Sequence, residues 1–385
     1  MMFNFNWKTI GTLCICTLLL WNCVKKKDSE DLLLPDNSNT GDNVVSRKTI
    51  LENIADNIII PSYASLSVKL GIMQSKSTTF ASNPDSTSLA EFRLAWANAY
   101  VEWQKVESFD LGPANDVTMR FFYNIYPANT KGIEENIISG TTNLASVVAN
   151  AKQGFPALDY LINGLGTDTE TIERYKTASD AAKRIAYMKL IIDKMVSMTA
   201  SVHYEWVNNY RSSFINNTSV NAGSSMSVVV NGYVLNYERY IRTGKFGLPS
   251  GVMTGTVYPE GVEAFYKKDI SLLLAKTAHQ ASIDFFNGKS VINGTEGPSL
   301  KNYLDQLGAK DSKTGSSLSV IINTQFAEVN NRLNLLSNNL YEEVKTNNQA
   351  MINVFDAMQS EVRMLKVDMT SSMSIAITYT DTDGD

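Results

Sequence analysis

The chain has 385 residues, with 34 Lys and Arg against 39 Asp and Glu, a net charge of −5 and only 2 histidines. This acidic balance offers no electrostatic footprint for nucleic acid. Of its 3 cysteines, Cys14 and Cys16 fall in an N-terminal apolar segment and leave Cys23 without a disulfide partner, so stability has to come from burial.

Lys8 and the apolar run from Thr9 to Trp21 read as an export signal, too short to remain as a spanning helix. Leu18-Leu19-Leu20-Trp21-Asn22-Cys23 resembles a bacterial lipobox, with Asn22 where a small residue is usual. That layout predicts removal of residues 1–22, acylation of Cys23 and attachment to a membrane of the cell envelope, facing the periplasm or the surface. Residues 23–45, rich in Lys, Asp, Asn and Ser, cannot bury a core and read as a flexible tether.

Beyond the tether the hydrophobic periodicity is helical. A first helix starts at Ser46 on Ile50, Ile54 and Ile58, and Pro61 is expected to kink or break it. Ser88-Leu89-Ala90-Glu91 reads as a capping box, opening a helix with Leu89, Phe92, Trp96, Tyr100, Trp103 and Val106 on one face and an end near Leu111-Gly112-Pro113. A long helix is predicted over 179–214, and the polar stretch after Asn216-Asn217 marks a boundary between two halves, 46–220 and 221–385. In the second half helices are predicted over 226–242, 261–286, 299–307, 316–344 and 347–367, with a loop from Thr243 to Gly251. Ser374 to Thr380 reads as a strand, and Asp381 to Asp385 as an acidic tail with only the first half of a calcium-loop pattern. The fold expected is all-α, two antiparallel helix bundles packed together.

The segment Gly154-Phe155-Pro156-Ala157-Leu158-Asp159 resembles the Gly-x-His-x-x-Glu signature of imelysin-like proteins. Glu107, Phe109 and Gly112-Pro113, then Arg120 and Tyr126-Pro127, resemble that family's first-domain pattern; Tyr237-Glu238-Arg239-Tyr240, Lys245 to Gly251, Val262 to Tyr266 and Phe285 to Gly288 resemble its lipoprotein branch. The resemblance implies helical bundles with a cleft between them, a link to bacterial iron uptake and, for some members, peptidase activity. Iron or haem is the ligand class it implies, along with partner proteins of iron uptake. Pro156 replaces the signature His and brings neither a lone pair nor a proton, and Asp159 replaces the Glu one methylene shorter. A Pro-x-x-Asp turn therefore supplies one oxygen donor where His-x-x-Glu would supply an imidazole and a carboxylate on one face.

Other chemistry is thin. His203 and His279 sit in no His-Glu-x-x-His, and His203 and Glu205 point about 200° apart on a helix. No Gly-x-Ser-x-Gly occurs, and Pro249-Ser250-Gly251 reads as a turn. Lys245 lies in a Gly-bearing loop able to bring N–H groups near an anion, although a tight interhelical connection explains it as well. The resulting expectation is an envelope lipoprotein with a binding role in iron uptake and no catalytic residue, its site in the interdomain cleft at Gly154, Pro156 and Asp159, with Glu107, Arg120, Tyr126 and Lys245 as neighbours. A metallopeptidase and a structural envelope module are the alternatives, and no metal ligand set is assigned.

Overall fold

The computed structural model describes residues 45–380. The expected signal segment, Cys23, the tether through residue 44 and the acidic tail lie outside the described residues. Among the described residues there is no strand, and no helix is long and apolar enough to cross a membrane. The fold is all-α.

Ser46 caps α1 (Arg47–Asn53) by accepting the Thr49 N–H at 3.1 Å. The helix does not break at Pro61. It runs through a π-helical segment, Ile54–Ile59, into α2 (Ile60–Ser82), with Pro61 in the first turn of the new register. The Asn57 carbonyl, which a proline at 61 deprives of its α-helical donor, accepts the Val291 N–H at 2.9 Å instead. α3 (Ser86–Val106) begins one turn earlier than expected: Asp85 is the cap, accepting the Ser88 N–H at 2.8 Å, and Ser88 sits at the third helical position. Pro84 holds the preceding residue out of a helix and so fixes the start there. The short helices α4 (Pro113–Asp116), α5 (Met119–Tyr123), α6 (Thr130–Ser139), α7 (Gly154–Asn163) and α8 (Asp168–Lys176) lead to α9 (Ala181–Glu205), which continues through a π turn into α10 (Arg211–Asn216) as predicted.

In the second half α11 (Ser225–Leu235) passes into a π-helical segment, Asn236–Gly247, that covers much of the stretch expected to be a loop. Burial explains the difference: Lys245 and Phe246 are sealed inside, so the backbone must pair its own polar groups despite Gly244 and Gly247. The predicted helix from residue 261 begins only at α12 (Ser271–Phe286), because Ala264 and Lys268 take φ of 56° and 57°, which no right-handed helix accepts. α13 (Leu300–Gln306), α14 (Leu318–Leu333), α15 (Leu340–Thr346) and α16 (Asn348–Arg363) follow, and α16 continues through a π turn to α17 (Thr370–Ser372). Residues 374–380 form no strand: Ser374 turns at φ 56°, and among the described residues no neighbouring strand is there to pair with. The Asn231 side chain serves in its place, donating to Ala376 O at 3.0 Å and accepting the Thr378 N–H at 2.8 Å.

α2 packs on α3 and α9, α3 meets α12, and α14 and α16 pack together with the 236–247 segment. The core is one apolar cluster from Ile50 to Ile375, in which Phe92, Trp96, Tyr100 and Trp103 occupy the predicted face of α3. Truncating such an aromatic costs roughly 3–5 kcal/mol. Phe109 meets Phe285 at 5.8 Å between ring centres, joining the end of α3 to α12.

His279 is fully buried on α12, where one ring nitrogen faces the Tyr237 hydroxyl at 3.0 Å and the other Phe326 O at 3.1 Å. Burial lowers its pKa to about 4. The unfolded chain takes up this proton near the ordinary value of about 6.5 and the folded chain does not, so folding stability falls as pH drops from about 6.5 towards 4. The expected loss is on the order of 3 kcal/mol. Urea melts of wild type and His279→Gln across that range check it: the variant should lose this component of the acid sensitivity, and parallel pH profiles would refute it.

Candidate functional site

α7 carries the signature-like segment. Gln153 is extended and Gly154 turns at φ 73°, where an added Cβ would lie 2.3 Å from Tyr123 O and 2.4 Å from Phe122 O. Only glycine allows the close approach of α7 to the end of α5. Pro156 falls in the first helical turn, where its missing N–H has no intrahelical partner to lose.

Asp159, on the next turn, is 1% exposed and points inward. It accepts the backbone N–H groups of Tyr266 at 2.9 Å and Lys267 at 3.0 Å and the Asn163 side chain at 3.0 Å. Burial pushes its carboxyl up to about 7 against the lowering effect of those donors. Asp159 is thus a staple between α7 and the 262–270 turn, and Tyr160 reinforces it by packing on Tyr266 at 5.4 Å. Beside it lies a cavity of about 240 Å3, lined by Pro156, Asp159, Tyr126, Tyr258, Phe265 and Tyr266, with Glu260 among its outer residues.

The other candidates form a buried polar network. Arg120 is held by Asp110 Oδ2 and Glu107 Oε1, each at 3.3 Å, by Asn236 Oδ1 at 3.1 Å and by the Glu107 carbonyl, with the Tyr240 ring 3.7 Å from its guanidinium carbon. Lys245 pairs with Glu263 and donates to Gln104 Oε1 at 2.7 Å. Glu263 also accepts from Gln104 at 3.0 Å and from Asn124 at 2.7 Å, and Asn124 reaches Glu107 at 3.3 Å. Glu263 and Glu107 therefore each have a cation and a neutral donor beside them, the condition under which buried charge is tolerated.

Tyr126 connects the two places. It lines the cavity, while its phenol end is buried near Gly244, and burial together with Glu263 and Glu107 pushes the phenol well above its usual range. So Pro156, Asp159 and Tyr126 meet at the cavity and Gly154 sets the start of the helix that carries two of them, whereas Glu107, Arg120 and Lys245 lie in the network behind it. The Lys245 ammonium is engaged by Glu263 and Gln104, and the anion-binding loop considered for it does not form. Glu263, Asn124, Gln104 and Asn236 do not stand out in the sequence. Their one signal is a polar residue inside an otherwise apolar helical stripe, as at Gln104 between Trp103 and Val106.

These residues do not fit an iron or zinc centre. Asp159 spends its oxygens on N–H donors, Glu263 and Glu107 face internal cations, and among the described residues no three His, Cys, Asp or Glu side chains converge to hold a metal.

The Imelysin (peptidase M75) family model matches residues 59–364. Iron-regulated protein A of Synechococcus elongatus is 22% identical over 119 residues, a stretch that covers 31% of this chain and 32% of that protein. The crystal structure of a Parabacteroides distasonis protein assigned as an iron-regulated protein A precursor superposes with a TM-score of 0.71 at 16% identity, covering 87% of this chain and 97% of that one. An imelysin-like protein from Psychrobacter arcticum superposes with a TM-score of 0.67 at 16% identity, over 89% and 100% of the two chains. At such identities the superpositions show the shared fold, and the family match over most of the chain identifies it: the protein is a member of the imelysin family.

Proposed function

We propose that this protein is a lipid-anchored, non-catalytic binding component of iron uptake in the cell envelope, and that it docks a partner protein at the aromatic cavity beside Asp159. The observation that carries the reading is the use made of the signature turn. Its shape is kept by Gly154, but Pro156 offers the cavity no donor and Asp159 is turned inward to hold the 262–270 turn. What remains open to a ligand is ring surface from Tyr126, Tyr258 and Phe265 with an acidic edge at Glu260. The cavity is smaller than the roughly 300–1,000 Å3 usual for drug-sized ligands, which disfavours a whole haem and suits one side chain of a partner. An aromatic wall beside a carboxylate favours a cationic side chain there. The link to iron rests on the names carried by relatives, and the anchor on the lipobox-like run ending at Cys23.

The test pairs Tyr258→Ala with Glu260→Gln, both at exposed positions where folding is little affected. Cells carrying the double variant should lose growth under iron limitation by at least several-fold while keeping normal protein level and membrane partitioning. Unchanged growth would rule out this cavity. Mass spectrometry of the wild-type N-terminus should find an acylated Cys23, and a free N-terminus elsewhere would remove the anchor.

A further inference from the structure

A second cavity, of about 500 Å3, shares no lining residue with the one beside Asp159. Its size falls within the range of small-molecule sites. The wall is apolar where Ile58, Phe109, Ala281, Phe285 and Val291 face it. Its construction is specific to this fold. Ile58 belongs to the π-helical segment ahead of Pro61, and the loop carrying Val291 is pinned onto that segment by the Val291 N–H to Asn57 O bond. Asn53 adds two more ties, donating to Gly288 O at 2.9 Å and Pro298 O at 3.0 Å. π-Helical insertions of this kind recur at functional sites. Three bonds thus tie the loop side of the cavity to α1 and to the π-helical segment.

Its polar groups are unequal in sign. Lys105, Lys276 and Lys289 line it, with Asp284 as the acidic member. Lys289 is 3.5 Å from Asp284, and Lys105 pairs with Glu102 at 2.9 Å, so two of the positive charges are balanced. Lys276 has no acidic partner among the described residues and leaves one positive charge unmatched. Ser62 also lines the cavity; it is 1% exposed and its buried hydroxyl makes no hydrogen bond.

We propose that this cavity binds a monoanionic amphiphile, a carboxylate carried on a compact alkyl or aryl body, with the apolar part against Phe109 and Phe285 and the carboxylate on Lys276. One unmatched cation above an apolar wall selects one negative charge on an apolar body. A polyanion would meet Asp284, and an uncharged amphiphile would leave Lys276 unused. This site is independent of the docking role assigned to the Asp159 cavity.

Isothermal titration of the full mature protein with octanoate, and with 1-octanol as the uncharged probe of the same body, tests the proposal. Octanoate should bind at one saturable site and octanol at least ten-fold more weakly. Lys276→Glu should weaken octanoate at least ten-fold without changing helicity, since that side chain is partly exposed and pairs with nothing acidic. Ala281→Trp, which fills the cavity, should abolish binding; if that variant loses helicity, Lys276→Glu alone decides. Absence of saturable octanoate binding, equal affinity for octanol, or unchanged affinity in Lys276→Glu would each overturn the proposal.

Discussion

Gly154→Ala is expected to lower the unfolding free energy by roughly 3–5 kcal/mol, enough to unfold much of a marginally stable protein. Two costs combine. A residue with a Cβ at φ 73° pays the left-handed penalty of about 1–2 kcal/mol. The new carbon would also sit 2.3 Å from a backbone carbonyl oxygen, which cannot swing aside as a flexible side chain would. Gly255 separates the two: its φ is also 73°, but nothing lies within 4 Å of the place an alanine methyl would occupy. Gly255→Ala should therefore show the conformational cost alone. Urea midpoints of the two variants give the answer, and equal shifts would mean that the approach of α7 to α5 carries no steric constraint. Loss of the α7 start would also release Asp159 from Tyr266 and Lys267, so the Asp159 cavity should open as stability falls.

Lys245→Met is the second large effect. Glu263 would keep its neutral donors, Gln104 and Asn124, but lose its cation in a place with 2% exposure. Stranding a buried carboxylate in this way costs about 3–5 kcal/mol. The double variant Lys245→Met with Glu263→Gln should recover most of that loss, because the amide oxygen still accepts and no charge remains uncompensated. Denaturant titration of the wild type, both single variants and the double variant closes the cycle. A loss below about 1 kcal/mol in Lys245→Met would show that water reaches the pair. The outcome bears on function as well: a network this costly to disturb is a scaffold that fixes Tyr126 at the cavity edge, and its members are poor candidates for direct ligand contact.

Helical class, the apolar face of α3, the long rod through α9 and α10 and the signature turn at residues 154–159 could all be read in the sequence. Each depends on neighbours a few residues apart, and helical periodicity records such neighbours directly. The cap at Asp85 lies one turn ahead of the one the sequence suggests, because Ser88 fits either the cap or the third helical position on local chemistry alone. Pro61 reads as a kink or a break in the sequence, which cannot show that the Asn57 carbonyl has the Val291 N–H waiting for it. The 374–380 segment reads as a strand, yet a strand needs another strand beside it, and what meets the backbone here is the side chain of Asn231. The contacts of Asp159 and Lys245 likewise come from residues distant in sequence: the N–H groups of Tyr266 and Lys267 bond one, Glu263 and Gln104 the other. Local pattern determines which residues can form a helix and which side faces inward, whereas the fate of a buried polar group is set by whatever the folded chain brings within about 3 Å of it, and that proximity exists only in the tertiary structure.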